Sequence, residues 1–304
     1  MAKATSAFTN LGKLYWPDEG ITKGDLINYY KTIAHFILPY LKNRPLSLKR
    51  NPNGIKDNGF FHKDAGDIAP SWMKTADIYA ESANKIIHYL VCNNARSLLF
   101  IANLGCIEMN PWNSATTNLD KPDYLILDID PSDKNSFDQV IDVAQCIKEI
   151  LDRFKLTGYC KTSGASGMHV YIPCGHKYAY ETVRDFARIL ATMVHEQLPS
   201  FTTLERSLSK RKKNQIYIDY LQNSRGQTLA SAYSVRPKPG ATVSTPLDWK
   251  EVKRGLHPSK FTIHTIKKRV DKKGDLFSGA LSKGVNIQAA LKLIEKAEPE
   301  LLEA

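Results

Sequence analysis

The sequence predicts an α+β protein built around a β-α-β-β-α-β unit, and three observations predict it. An apolar run of Tyr124, Leu125, Ile126 and Leu127 ends on two acids two positions apart, Asp128 and Asp130. Two segments, 136–156 and 180–198, carry apolar residues at helical spacing. Short extended pieces, "YCKTSG", "HVYIPC" and "QIYIDYLQ", fall between and after them. That order is the split βαβ, RRM-like arrangement: four strands in one sheet, helices over one face, and the other face open to host a site.

Each element has a local reason. Segment 22–41 opens on Thr22, an N-cap residue, and spaces Leu26, Tyr29, Tyr30, Ile33 and Ile37 along one helical face. "RPLSLKRNPNG" reads as a short strand broken at Asn53-Gly54. "YLILDID" is strand-like. Ser136 then starts a helix whose apolar face is Val140, Ile141, Ala144, Ile147, Ile150, Leu151 and Phe154. A Gly-rich hairpin and a second amphipathic helix follow, and "QIYIDYLQ" (215–222) closes the unit as a strand. The expected division is an N-terminal α/β subdomain over 1–115, the RRM-like subdomain over 116–270 and a helical tail over 271–304.

Composition narrows the class. Lys and Arg number 42 against 31 Asp and Glu, a net charge of +11 in 304 residues, which points to an anionic partner, nucleic acid first. Five dispersed cysteines with no CxxC pair suggest neither a zinc ribbon nor a disulfide framework. No apolar run approaches the ~20 residues that span a bilayer. These features read as a cytoplasmic protein with no membrane partner.

In a strand, residues i and i+2 face the same way, so Asp128 and Asp130 present two carboxylates side by side. "DPSD" also reads as a turn, in which these acids would merely cap backbone. The third acid shifts the balance: Asp219, set among Ile216, Tyr217, Ile218 and Tyr220, is costly to bury unless something pairs with it. Three hard oxygen ligands suit Mg²⁺ or Mn²⁺, ions that also bind substrate phosphates. In two-ion phosphoryl transfer one ion activates the attacking oxygen and the other stabilises the leaving group. "KTSGASGMHVYIP" (161–173) adds Gly164 and Gly167, which admit close backbone approach to an oxyanion, with Ser163 and His169 as side-chain donors. Arg236 in "SAYSVRPKPG" offers a fork for phosphate oxygens.

Together, "YLILDIDPSD", "KTSGASGMHVYIP" and "IYIDYLQNSRGQTLASAYSVRPKPGATVSTPLDW" closely resemble the polymerase domain of bacterial ligase D, a member of the archaeo-eukaryotic primase superfamily acting in non-homologous end joining. The opening "FTNLGKLYWPDEGITKGDLINYYKTIAHFILPYLKNRPLSLKRNPNG" and "GFFHKDAG" fit the same family, so the resemblance covers nearly the whole chain. It implies a primase-polymerase fold and a polymerase that extends DNA ends and gaps. Asp128, Asp130 and Asp219 match its metal-binding triad. Ser163, Ser166, His169, Gln222 and Arg236 match positions that hold the incoming nucleotide. Lys13 and Lys23 match a pocket for the 5′-phosphate at a break, where two ammonium groups suit a doubly charged phosphate. Phe60 and Phe61 match aromatics that stack near the template, and Arg50 stands where it can touch the DNA backbone. By residue chemistry alone the two lysines and Arg50 would be surface charges, and one or both phenylalanines core.

Two positions depart from the family. Ser166 stands where many relatives carry Lys, and Asn110 where a His is frequent. No "KxDG" ligase motif is present, so the chain reads as a stand-alone polymerase or an excised domain. The resemblance further implies template-dependent gap filling, non-templated addition, preference for NTPs over dNTPs, manganese as the favoured ion, association with the nucleoid during repair, and Ku and a DNA ligase as partners.

Two other classes fit part of the pattern. A haloacid-dehalogenase phosphatase also begins with a strand ending in Asp-x-Asp, its first Asp a covalent nucleophile, but continues with Gly-Thr or Gly-Val where this chain has Pro131-Ser132. A DNA-end-binding scaffold without catalysis would share the basic "SKRKKNQ" loop (209–215) and the N-terminal lysines, but has no need of three acids.

Overall fold

The computed structural model describes residues 8–299; the outermost residues of the first and last expected segments, 1–7 and 300–304, lie outside them. The chain divides into two compact units. One comprises Met1–Trp112, Thr228–Ser244 and Ser259–Gly274; the other Asn113–Gln227, Thr245–Pro258 and Asp275–Ala304.

In the first unit, β1 (Leu14–Trp16) and β2 (Ile21–Thr22) form a small antiparallel ladder leading into α1 (Lys23–Leu41). Thr22 caps α1 as expected. Its hydroxyl accepts from the Asp25 N–H at 3.1 Å, and Asp25 accepts from the Thr22 N–H at 2.8 Å. β3 (Leu46–Arg50) is the centre of a three-stranded sheet between β4 (Phe60–His62) and β7 (Cys106–Pro111). β5 (Thr75–Ala80) and β6 (Lys85–Leu90) pair separately, and α2 (Ala95–Asn103) precedes β7.

In the second unit, β8 (Tyr124–Asp130), α3 (Phe137–Arg153), β9 (Tyr159–Thr162), β10 (Met168–Pro173), α4 (Tyr180–Gln197) and β12 (Ile216–Asp219) realise the β-α-β-β-α-β order. The sheet order is β11-β12-β8-β10-β9-β13, with the two-residue strands β11 (Thr202–Thr203) and β13 (Pro246–Leu247) added at its edges. Leu125, Leu127 and Ile129 alternate with Asp128 and Asp130 and are fully buried. α3 and α4, both packed on β8, supply the matching apolar faces. The carboxylates therefore belong to the opposite face.

Contiguous boundaries at 115 and 270 do not describe this division. Residues 228–244 belong with the N-terminal unit because α1 holds them: the Tyr29 hydroxyl donates to the Tyr233 carbonyl at 2.8 Å, and the Val235 N–H donates to the Tyr30 hydroxyl at 3.1 Å. Residues 259–274, with α5 (Ile266–Lys273), follow through Val243 N–H to Phe261 O at 2.8 Å. The C-terminal segment, with α6 (Ile287–Ala297), is no separate tail: Val285 N–H donates to Pro173 O at 2.9 Å and the Phe277 ring packs 5.0 Å from Tyr171.

Candidate functional site

A single file of polar side chains crosses the larger sheet. Asp219 on β12 is the register partner of Asp128 on β8, Asp128 that of His169 on β10, and His169 that of Lys161 on β9. Directly opposite residues in antiparallel pairs project to one face. Asp130, two positions beyond Asp128, shares that face. Asp219 is the last residue of its strand rather than a mid-strand acid, because Leu221–Asn223 turns away as a 3₁₀ helix.

Asp128 and Asp219 have protein partners. His169 Nε2 lies 3.3 Å from Asp128 Oδ1. Asp219 accepts from the Leu221 N–H at 2.8 Å, the Gln222 amide at 3.1 Å and the Tyr217 hydroxyl at 3.2 Å. Burial pushes the Asp130 carboxyl up, the Arg211 guanidinium pulls it down, and Asp219 adds a further push upward. Among the described residues no three His, Cys, Asp or Glu side chains are gathered closely enough to hold a metal ion. The donor set itself, three carboxylates on one face, is the hard-oxygen kind that suits Mg²⁺ or Mn²⁺.

The glycine hairpin is shaped by Ser163. Its Oγ accepts from the Ala165 and Gly167 N–H groups, each at 3.1 Å, so two of the turn's amides serve the turn itself. Gly164 has φ +73°, a left-handed conformation, and a Cβ on Gly167 would run into the Ile129 carbonyl. The turn is thereby pressed against the strand that carries Asp128 and Asp130. Ser166 is exposed at its tip. Gln222 donates to Asp219, while its Oε1 is buried without a hydrogen-bond partner among the described residues.

In the N-terminal unit, Arg236 Nε donates to Glu108 Oε2 at 2.7 Å. Lys13 and Lys23 are neighbours, since the Lys23 N–H donates to the Lys13 carbonyl at 2.8 Å. Lys23 is 4% exposed and so not a solvated surface charge; its ammonium donates to the Thr9 carbonyl at 2.8 Å. Burial, then Lys13, lowers its pKa. Phe60 and Phe61 are 48% and 60% exposed, so neither is core. The Arg50 guanidinium lies 5.3 Å from the Phe60 ring centroid, and Arg50 donates to the Leu104 carbonyl at 2.9 Å; it is held rather than loose. Asn110 is buried opposite Ser47, donating to its carbonyl at 3.2 Å, and serves the sheet.

The model of the LigD primase-polymerase domain family matches residues 22–277. The chain belongs to this family. It is 32% identical to the bifunctional non-homologous end joining protein LigD of Bacillus subtilis over 88% of this chain and 43% of that protein. With the multifunctional non-homologous end joining protein LigD of Pseudomonas aeruginosa it shares 29% identity over 85% of this chain and 30% of that protein. The chain thus spans less than half the length of these relatives. The structure of the polymerase domain from Mycobacterium tuberculosis ligase D in complex with DNA superposes with a TM-score of 0.84 at 25% identity, covering 93% of this chain and all of that one.

Within this LigD primase-polymerase domain, four residues that the sequence did not single out help build the two groups. Lys161 ends the polar file. Glu108 holds Arg236. Arg211, from the basic 209–215 loop, lies 3.8 Å over the Tyr217 ring, beside Asp130. Asn223 accepts from the Ile126 N–H at 2.8 Å and donates to the Ile126 carbonyl at 2.7 Å, completing β8 where β12 has ended. An Asn four residues past the end of a hydrophobic strand carries no local mark of such a clamp.

Proposed function

We propose that this chain is a DNA-end-directed nucleotidyltransferase. It extends a primer 3′-hydroxyl with ribo- or deoxyribonucleotides, filling gaps and processing ends in double-strand-break repair, with primase-like synthesis as a related activity. The observation that carries this reading is the register of Asp219, Asp128 and His169, which puts two carboxylates and an imidazole in one file beside the glycine turn.

The 3′-oxygen attacks the α-phosphorus, a phosphorus–oxygen bond forms, and pyrophosphate leaves. Asp128, Asp130 and Asp219 are the residues that would hold two Mg²⁺ or Mn²⁺ ions, which when bound neutralise phosphate charge and favour the attacking alkoxide. His169 and Ser163 orient the triphosphate, Ser166 lies where the turn meets it, and Arg236, oriented by Glu108, supplies a guanidinium fork. The orphaned Gln222 Oε1 needs a donor, and a sugar hydroxyl of the nucleotide is one. Lys13 and Lys23 grip the 5′-phosphate of the break, while Phe60, Phe61 and Arg50 meet template and backbone. Ku and a DNA ligase are the partners that end joining calls for, and the bacterial cytoplasm, at the nucleoid, is its place.

The test is extension of a labelled primer on a gapped, 5′-phosphorylated duplex, with NTPs or dNTPs and either ion. Phosphomonoester hydrolysis without DNA dependence, or a DNA mobility shift with no added nucleotide, would overturn the proposal.

A further inference from the structure

Lys161 is 0% exposed on β9. Lysines are almost never buried to that degree unless paired, because the ammonium loses its hydration. Its Nζ lies 2.7 Å from His169 Nδ1 and 5.5 Å from the centroid of the Tyr171 ring. His169, 3% exposed, presents its other nitrogen to Asp128 Oδ1 at 3.3 Å. The three residues are successive register partners, so backbone pairing sets their spacing.

An ammonium has three N–H donors and no acceptor. Against it, Nδ1 has to be the accepting nitrogen, and the ring proton sits on Nε2. We propose that Lys161 is a positioning residue that selects this His169 tautomer, so that the ring offers an N–H donor to the face carrying Asp128. This rests on the polymerase reading for its purpose: phosphate oxygens only accept, and a His169 with a bare Nε2 would repel them. The loose contact with Asp128 is then a resting one, exchanged for a triphosphate oxygen when the nucleotide enters. Packing alone does not call for a lysine here, since methionine fills similar space with no buried charge.

The test is ¹⁵N NMR of the full chain labelled at histidine ring nitrogens, with His169 assigned from the spectrum of His169→Asn. The wild type is expected to show an unprotonated Nδ1 and a protonated Nε2. Lys161→Met is expected to move the ring to a tautomer mixture and to raise the nucleotide KM on the order of 10-fold, as for other groups that orient a site histidine. Its DNA Kd should not change, and Lys161→Arg, which keeps an N–H donor, should keep the wild-type tautomer. A protonated Nδ1 in the wild type overturns the proposal whether or not the variants fold. So does a Lys161→Met protein with unchanged tautomer and KM. Failure of the wild type to extend any primer would instead count against the polymerase reading, because the ring spectrum needs no activity.

Discussion

Asp219 stands directly opposite Asp128 across the antiparallel β12–β8 pair. Two carboxylates from strands 91 positions apart in sequence therefore share one face, and Asp130 joins them by simple alternation.

That relationship makes the carboxylates the first target. Asp128→Ala and Asp130→Ala are each expected to abolish primer extension while DNA affinity, measured by fluorescence anisotropy, stays near wild type. In buffer free of divalent ions Asp130→Asn should raise Tm, because desolvation, and after it Asp219, outweigh the pull of Arg211 and hold the Asp130 pKa above its ordinary value, so that its ionised form works against the fold. Retained extension by either alanine variant would refute the assignment.

The paired lysines should read the 5′-phosphate. Lys13→Ala is expected to weaken binding to a 5′-phosphorylated gap by about 1.5–3 kcal/mol, the range for a charge-assisted hydrogen bond, and to leave binding to the 5′-hydroxyl gap nearly unchanged. The pH dependence has a definite sign. The lowered Lys23 pKa means that it loses its proton below the ordinary lysine range, so the preference for phosphate should fade as pH rises through that window. Over the same window the unfolded chain binds more protons than the folded one, so Lys23 makes the fold more stable with rising pH. A preference that is flat from neutral pH upward would rule Lys23 out of the pocket.

Exposed aromatics can be removed without harming the fold. Phe61→Ala should change stability by no more than about 0.5 kcal/mol, as is usual for surface positions. It should weaken binding to DNA with a single-stranded template overhang by about 1–3 kcal/mol, the worth of one stacked base. Equal loss on blunt and overhanging ends would argue for a general electrostatic effect instead.

Asn223 tests how β8 is held. Asn223→Ala leaves both backbone groups of Ile126 unpaired in a buried setting, at a cost of about 1–3 kcal/mol each. Chemical denaturation should show the loss, and extension should fall because the turn after Asp219 is no longer anchored to the strand bearing Asp128. Unchanged stability would mean that water replaces the amide.

Much was legible in the residues because it is local. Alternation puts Asp128 and Asp130 on one face, an N-cap threonine starts α1, and 3.6-residue spacing marks α1, α3 and α4, so the β-α-β-β-α-β order could be read directly. Register is not local. Whether Asp219 meets Asp128 or slips by one and faces the helices depends on which strands pair and how far they slide, which only packing of the whole sheet decides. Burial is likewise a property of the fold. Lys23 looks like a surface charge in sequence and nothing there marks Lys161; both become buried donors because β1 pairs with β2, and β9 with β10, around them. The interleaving of the two units was out of reach for the same reason: Tyr29 and Tyr30 recruit residues about two hundred positions away through buried hydrogen bonds, and nothing near either end of those bonds announces the other.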